Sequence, residues 1–287
     1  MPDRVEAAAP AKVNLRLRIL AREESGYHQL ETVFCAISLA DDVVVARGEA
    51  GIRLEVEGGV ETGPPEHNLA VRAAERFHRE MGIAPAVDLH LTKRIPAAAG
   101  LGGGSSDAAA VLRALNALHG DPLSRAALLQ LAIELGADVP FFLCGSPLAL
   151  AWGRGERLMP LPPLPPRPVL VAHPGESMPT ADAFREVAAQ RAGGYAPEAA
   201  LIDPDALRSW DSIASLAWND FEPVVLGRIP ILADGLAAMR QAGARISLLA
   251  GSGSSIFAIF DSDDEREAAS ARLDALGMRT WRAETMT

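Results

Sequence analysis

Only two cysteines, Cys35 and Cys144, occur among the 287 residues, far apart and with no metal-ligand spacing. That pattern predicts free thiols in apolar surroundings and a reducing, cytoplasmic setting. The six histidines form no His-Glu-x-x-His or similar array, so neither a structural nor a catalytic zinc is expected. No apolar run reaches the ~18 residues that a membrane-spanning helix requires. The polar N-terminus also lacks the apolar block of a secretion signal. A net charge of −10 speaks against a nucleic-acid-binding surface. It leaves room for a small anionic ligand, because loop amides and a few local cations hold phosphate even in an acidic protein.

Lysine is scarce as well. Of the 27 basic residues, 25 are arginine and only Lys12 and Lys93 are lysine. In a chain that uses arginine almost everywhere, two retained lysines point to places needing a compact ammonium rather than a planar fork.

The stretch that organises the chain is Pro96-Ala97-Ala98-Ala99-Gly100-Leu101-Gly102-Gly103-Gly104-Ser105-Ser106-Asp107. Its four glycines, clustered within five positions, allow tight turns and close approach to a ligand, since no Cβ intervenes. The alanine- and leucine-rich run from Ser106 to Leu118 predicts a helix with Ser105 or Ser106 as N-cap. A glycine loop entering a helix N-terminus presents unpaired N–H groups and a partial positive charge to phosphate.

Around this loop the pattern alternates between strands and helices. Residues 10–20 alternate strictly, with Lys12 and Asn14 side by side on the polar face of a half-buried strand. Extended runs follow from Tyr27–His28 to about Leu39, then over 42–47 and 52–57. Helices are predicted from Asn68, as N-cap, to Met81, and from Ser124, as N-cap, to Leu135, with strands at 87–92 and 148–152. Pro160 to Pro168 (PLPPLPPRP) cannot be helical and reads as a stiff extended crossing between domains, 1–159 and 160–287. Beyond it lie a strand (169–172), a helix (180–191), a weakly patterned stretch (195–228), a helix (230–242), strands (245–250 and 255–260), a helix (264–276) and a strand (278–283). The second domain therefore reads as a β-α-β-β-α-β, ferredoxin-like plan.

The loop lacks the lysine of a Walker A motif, and Ser105 stands where a dinucleotide fingerprint needs its last glycine. What remains, Pro-x-x-x-Gly-Leu-Gly-Gly-Gly-Ser-Ser-Asp-Ala-Ala, resembles the signature loop of the GHMP kinases, which phosphorylate small-molecule hydroxyls with ATP. Further segments extend the resemblance, toward members whose substrate carries a cytidine diphosphate handle. These are Pro10-Ala11-Lys12-Val13-Asn14-Leu15, Gly26-Tyr27-His28, Gly136-Ala137-Asp138-Val139-Pro140, His173-Pro174-Gly175 with Pro179-Thr180, Asn219-Asp220-Phe221-Glu222 and Gly251-Ser252-Gly253-Ser254. Ser25 replaces the family's usual Asp, Ala98 a usual Gly, and Ala250 a usual Ser or Thr.

The resemblance implies an α+β, two-domain GHMP kinase fold. Its N-terminal domain would be ribosomal-S5-domain-2-like, its C-terminal domain ferredoxin-like, and the active site would lie in the cleft between them. It implies ATP and Mg²⁺, with the loop from Pro96 to Ser106 holding the nucleotide and Asn68 and Lys93 bordering the adenosine pocket. It casts Asp138 as general base beside Lys12, which stabilises alkoxide and phosphoryl, and Asn14 as a hydrogen-bond partner of the substrate diol. Tyr27, His28 and Phe184 would hold the cytosine and Thr180 the diphosphate. Other family members, acting on homoserine, mevalonate or a sugar, have no cytosine to stack. A purely regulatory nucleotide-binding protein would need neither Lys12 nor Asp138.

Overall fold

A computed structural model describes residues 2–22, 28–59, 64–191 and 204–287. In chain order the first elements are strands β1 (Arg4–Arg22), β2 (His28–Arg47) and β3 (Gly51–Glu57), helix α1 (Leu69–Met81) and strand β4 (Ala86–Thr92). Helices α2 (Gly103–Leu118) and α3 (Arg125–Leu135) follow, then β5 (Leu148–Gly153), β6 (Arg157–Pro160) and β7 (Pro168–His173). The remainder is α4 (Thr180–Arg191), α5 (Trp210–Leu216), β8 (Trp218–Asn219), α6 (Glu222–Arg228), α7 (Ile231–Gln241), β9 (Ile246–Leu249), β10 (Ile256–Ile259), α8 (Asp263–Ala275) and β11 (Arg279–Glu284). The chain forms two compact units. One comprises Met1–Ala11, Leu39–Ala97 and Gly102–Gly145, the other Lys12–Ser38, Ala98–Leu101 and Ser146–Thr287.

In the first unit β4 pairs parallel with β3 and antiparallel with the second half of β2. Its alternation puts Val87, Leu89 and Leu91 in the core. Helix α1 begins where the Asn68 side chain accepts from the Ala70 N–H, and ends at Gly82 in the left-handed region, as the sequence predicts. Helix α2 is buried almost throughout, from Ser106 to Leu112 and at Ala114, Leu115 and Leu118. Its run of alanines lets α1 and α3 pack closely against it.

In the second unit the first half of β2 pairs antiparallel with β5, β5 with β6, and β1 parallel with the two-residue β8. The C-terminal sheet has the order β11-β7-β10-β9, with every neighbour antiparallel. This is the strand order of the ferredoxin-like plan read from the sequence, and α7 and α8 pack on it. Its core includes Leu170, Leu236, Met239, Ile256, Phe260 and Leu273. Full burial of such side chains contributes roughly 1.5–3 kcal/mol each.

Several boundaries differ from the sequence reading, among them the start of β1 at Arg4 instead of residue 10. The runs ending near Leu39 and starting at 42 are one strand, because Asp41 is wholly buried and satisfied inside the fold. Helix α2 starts at Gly103, not Ser106, with Gly102 (φ 72°) as cap, so Ser105 and Ser106 lie inside its first turn rather than capping it. The proline-rich crossing is preceded by a strand, β6, whose pairing with β5 outweighs the terminal Pro160.

Candidate active site

The site is built from β1, the glycine loop and the turns that meet it. In β1 the polar face carrying Lys12, Asn14 and Arg16 is buried instead of solvated, each residue being at most 5% exposed. Lys12 Nζ donates to Asn14 Oδ1 at 2.8 Å and to the Gly100 carbonyl at 2.9 Å, and it lies 5.5 Å from the centre of the Phe34 ring. The Lys12 main-chain N–H donates to Leu101 O at 2.9 Å. One strand residue thus holds the glycine loop through both its backbone and its ammonium. The predicted neighbourhood of Lys12 and Asn14 is present. Asn14 Nδ2 donates to Thr32 Oγ1 at 2.8 Å, a partner that no motif or spacing in the chain announces.

Within the loop, Gly100 (φ 78°) comes so close to the 250–254 turn that a Cβ there would lie 1.8 Å from Ala250 O. No other residue fits that position. The turn is held in place by Asn219, whose Nδ2 donates to Leu249 O and Gly251 O, both at 2.8 Å. Thr180 Oγ1 and Ser252 Oγ are 2.9 Å apart, which ties the start of α4 to the same turn.

Ala98, the departure from the family's glycine, adopts φ 50°. A left-handed alanine carries roughly 1–2 kcal/mol of strain. Glycine relieves that strain but frees the unfolded chain, which costs about 0.4–1 kcal/mol in return. Ala98→Gly is therefore expected to raise stability slightly, by no more than about 1.5 kcal/mol, in urea melts followed by circular dichroism.

Where the loop becomes α2, no side chain caps the helix and no acidic residue stands in its first turn. By helical geometry its first N–H groups face outward, and together with the dipole they suit an anion. Ser106 Oγ is buried and has no hydrogen-bond partner among the described residues, and Ser105 is half-buried. A buried hydroxyl in need of a partner at this helix start fits a phosphate oxygen or a phosphate-bound Mg²⁺. Among the described residues no group of three or more His, Cys, Asp or Glu could cage a metal.

The ends of the loop are fastened in the first unit by an ionic triad. Lys93 Nζ pairs with Asp41 and with Asp107 (2.5 Å for the latter), all three buried. Asp41 Oδ1 also accepts from the N–H groups of Arg94 (2.6 Å) and Ile95 (2.8 Å). Burial pushes the Asp107 carboxyl up to about 7 against the downward pull of Lys93. Lys93, expected at the edge of an adenosine pocket, is thus an ion-paired core residue. Asn68, expected beside it, is the N-cap of α1, close to the loop because Leu69 approaches Gly104. Of the remaining loop residues, Ala97 is exposed, Pro96 is half-buried, and Ala99 is buried with its carbonyl accepting from the Ser255 N–H.

Asp138 is half-buried at φ −85°, immediately before the short 3₁₀ turn Val139–Leu143, and its carboxylate makes no capping bond to that turn. His28 stacks on Phe184 with ring centres 4.7 Å apart and planes 20° from parallel, and Phe184 meets Phe221 edge-on at 4.8 Å. His28 and Phe184, both expected at the cytosine, thus touch each other in the structure, and Tyr27 lies outside the described residues. Both cysteines are buried, and burial pushes the Cys35 thiol up to about 12, which makes it inert as a nucleophile at neutral pH.

Residues 68–146 match the N-terminal domain of the GHMP kinases and residues 198–277 match the C-terminal domain. The chain belongs to the GHMP kinases, with their two-domain α+β fold, and is a kinase. At the level of individual proteins it is similar to 4-diphosphocytidyl-2-C-methyl-D-erythritol kinases. That of Anaeromyxobacter dehalogenans is 44% identical, over 90% of this chain and 81% of the relative. That of Thermus thermophilus is 42% identical, over 96% of this chain and 95% of the relative. A crystal structure of 4-(cytidine 5'-diphospho)-2C-methyl-D-erythritol kinase superposes with a TM-score of 0.82 at 39% identity, covering 99% of this chain and 100% of that one. A homoserine kinase structure from Cytophaga hutchinsonii (TM-score 0.72, 21% identity, covering 100% of this chain and 96% of that one) shares the fold.

Proposed function

We propose that this kinase transfers the γ-phosphoryl group of ATP to the 2-hydroxyl of 4-diphosphocytidyl-2-C-methyl-D-erythritol, a step of non-mevalonate isoprenoid precursor synthesis in the cytoplasm. The observation that carries the reading is the buried Lys12 ammonium tied to the glycine loop through Gly100. A lysine brought to a phosphate loop that has none of its own is what phosphoryl transfer requires. The stacked His28–Phe184 pair supports a planar base as the handle of the substrate.

The glycine loop and the start of α2 hold the nucleotide phosphates through backbone N–H groups. Ser105 and Ser106 supply hydroxyls for a phosphate or for Mg²⁺, which when bound neutralises phosphate charge. The substrate 2-hydroxyl oxygen attacks the γ-phosphorus, the bond to the β–γ bridging oxygen breaks, and ADP leaves. Asp138 accepts the hydroxyl proton. Lys12 stabilises negative charge on the attacking oxygen and the moving phosphoryl group. His28, Phe184 and Tyr27 hold the cytosine, and Thr180 the diphosphate.

The test is ADP release, coupled to NADH oxidation, with 4-diphosphocytidyl-2-C-methyl-D-erythritol and with homoserine, mevalonate and galactose. Turnover that requires the cytidine diphosphate handle is expected. Comparable kcat/KM on a handle-free alcohol would contradict the reading and favour another small-molecule specificity within the family.

A further inference from the structure

Asn14 is 2% exposed and Thr32 is 1% exposed, and both are hydrogen-bonded within a short buried chain that ends at Lys12. Lys12 Nζ donates to Asn14 Oδ1 (2.8 Å), Asn14 Nδ2 donates to Thr32 Oγ1 (2.8 Å), and Thr32 Oγ1 donates to the Arg16 carbonyl (2.7 Å). We propose that Thr32 is a positioning residue for phosphoryl transfer, its hydroxyl fixing the direction of the hydrogen-bond chain that holds the Lys12 ammonium. The proposal rests on the reading of Lys12 as a group at the reaction centre.

The direction follows from the chemistry of the two ends. A main-chain carbonyl only accepts, so the single hydroxyl hydrogen of Thr32 is spent on Arg16 O. Toward Asn14 the hydroxyl can then only accept, which draws the amide NH₂ to Thr32 and turns Oδ1 to Lys12. An ammonium only donates, so Lys12 demands that same orientation. The flipped amide would set an NH₂ against the ammonium and leave Oδ1 without a donor. Because all three bonds run the same way, each polarises the next, and the Asn14 carbonyl becomes a stronger acceptor for the ammonium. Thr32 also sits in the ladder between β2 and β5, opposite Ala151, so its backbone is fixed independently of its hydroxyl.

The test compares Thr32→Val, Thr32→Ser and Lys12→Met. Valine keeps the shape and the strand preference of threonine and removes only the hydroxyl, so Thr32→Val is expected to fold, as read by its melting temperature. It should lower kcat about tenfold, the cost of one hydrogen bond to a charged chain, with both KM values nearly unchanged. Thr32→Ser should recover most of kcat. Wild-type kcat in Thr32→Val, a loss expressed in KM instead of kcat, or a serine variant as impaired as the valine one, would overturn the proposal. Lys12→Met separates the two layers. It is expected to lose at least about a hundredfold in kcat. If it kept wild-type turnover, the reading of Lys12 itself would be wrong. A dead Lys12→Met beside an unimpaired Thr32→Val would reject the role of Thr32 alone.

Discussion

Asp138→Asn is expected to lower kcat by about 10²–10⁴ while ATP affinity stays nearly unchanged. The amide has the shape of the carboxylate but cannot accept the proton that the substrate hydroxyl must lose. The melting temperature of the variant, measured alongside, separates any loss of stability from the loss of the chemical step. Fluorescent-nucleotide binding measures the ATP term and rapid-quench turnover the chemical step. Near-wild-type turnover would show that another group, or solvent, takes the proton.

The largest effect on stability is expected for Lys93→Met. Removing the ammonium from this buried site leaves Asp41 and Asp107 facing each other without compensation, and breaking a buried pair in this way costs about 3–5 kcal/mol. For a chain of this size that corresponds to a fall in melting temperature of roughly 5–8 °C. The cost depends on pH with a definite sign. Burial raises Asp107, so its folded form holds a proton more readily than its unfolded form. Its contribution is therefore lost as pH rises from the ordinary carboxylate range through about 7. Methionine removes the pull of Lys93 and extends that loss to higher pH. The gap between wild type and variant should therefore widen as pH rises through about 7 and beyond in urea melts. Adding Asp107→Asn should return part of the loss, since Asp107 Oδ1 is already buried and unpartnered and the excess negative charge is gone. A pH-independent penalty would contradict an electrostatic origin.

Much of the fold was legible because local signals and tertiary demands agree. Asn68, Gly82 and Ser124 mark helix ends by capping chemistry that depends on their own side chains or on an absent Cβ. The ferredoxin-like plan could be read because the order strand, helix, two strands, helix, strand leaves few topologies for a four-stranded sheet. Asp41 misled the reading for the opposite reason. A carboxylate inside an apolar strand looks like a break until Lys93 and two backbone N–H groups, more than fifty positions away, are known to meet it.

The site was partly legible in the same sense. The scarcity of lysine singled out Lys12 and Lys93, and both ammonium groups are buried and tied to the loop or its ends. It could not tell their different work apart, since one holds Gly100 and the other bridges two carboxyl groups. Thr32 carried no signal of its own, and Asn219 showed only as part of the Asn219-Asp220-Phe221-Glu222 segment, with no role attached to it. Each acts through a single hydrogen-bonding side chain on a partner distant in sequence, which no period or spacing records. Ala98 was visible as a departure from the glycine pattern, and its positive φ shows why glycine suits the position.

The reaction itself is tested most directly by a proton-coupled ³¹P spectrum of the product formed from ATP and 4-diphosphocytidyl-2-C-methyl-D-erythritol. Carbon 2 of the substrate bears a methyl group and no hydrogen, so a phosphate placed on its oxygen gives an uncoupled singlet in stoichiometric amount with ADP. That singlet is the result expected. A triplet would put the phosphate on the primary hydroxyl and a doublet on the secondary one. Either pattern, or ATP consumed without a new phosphomonoester, would contradict the assignment.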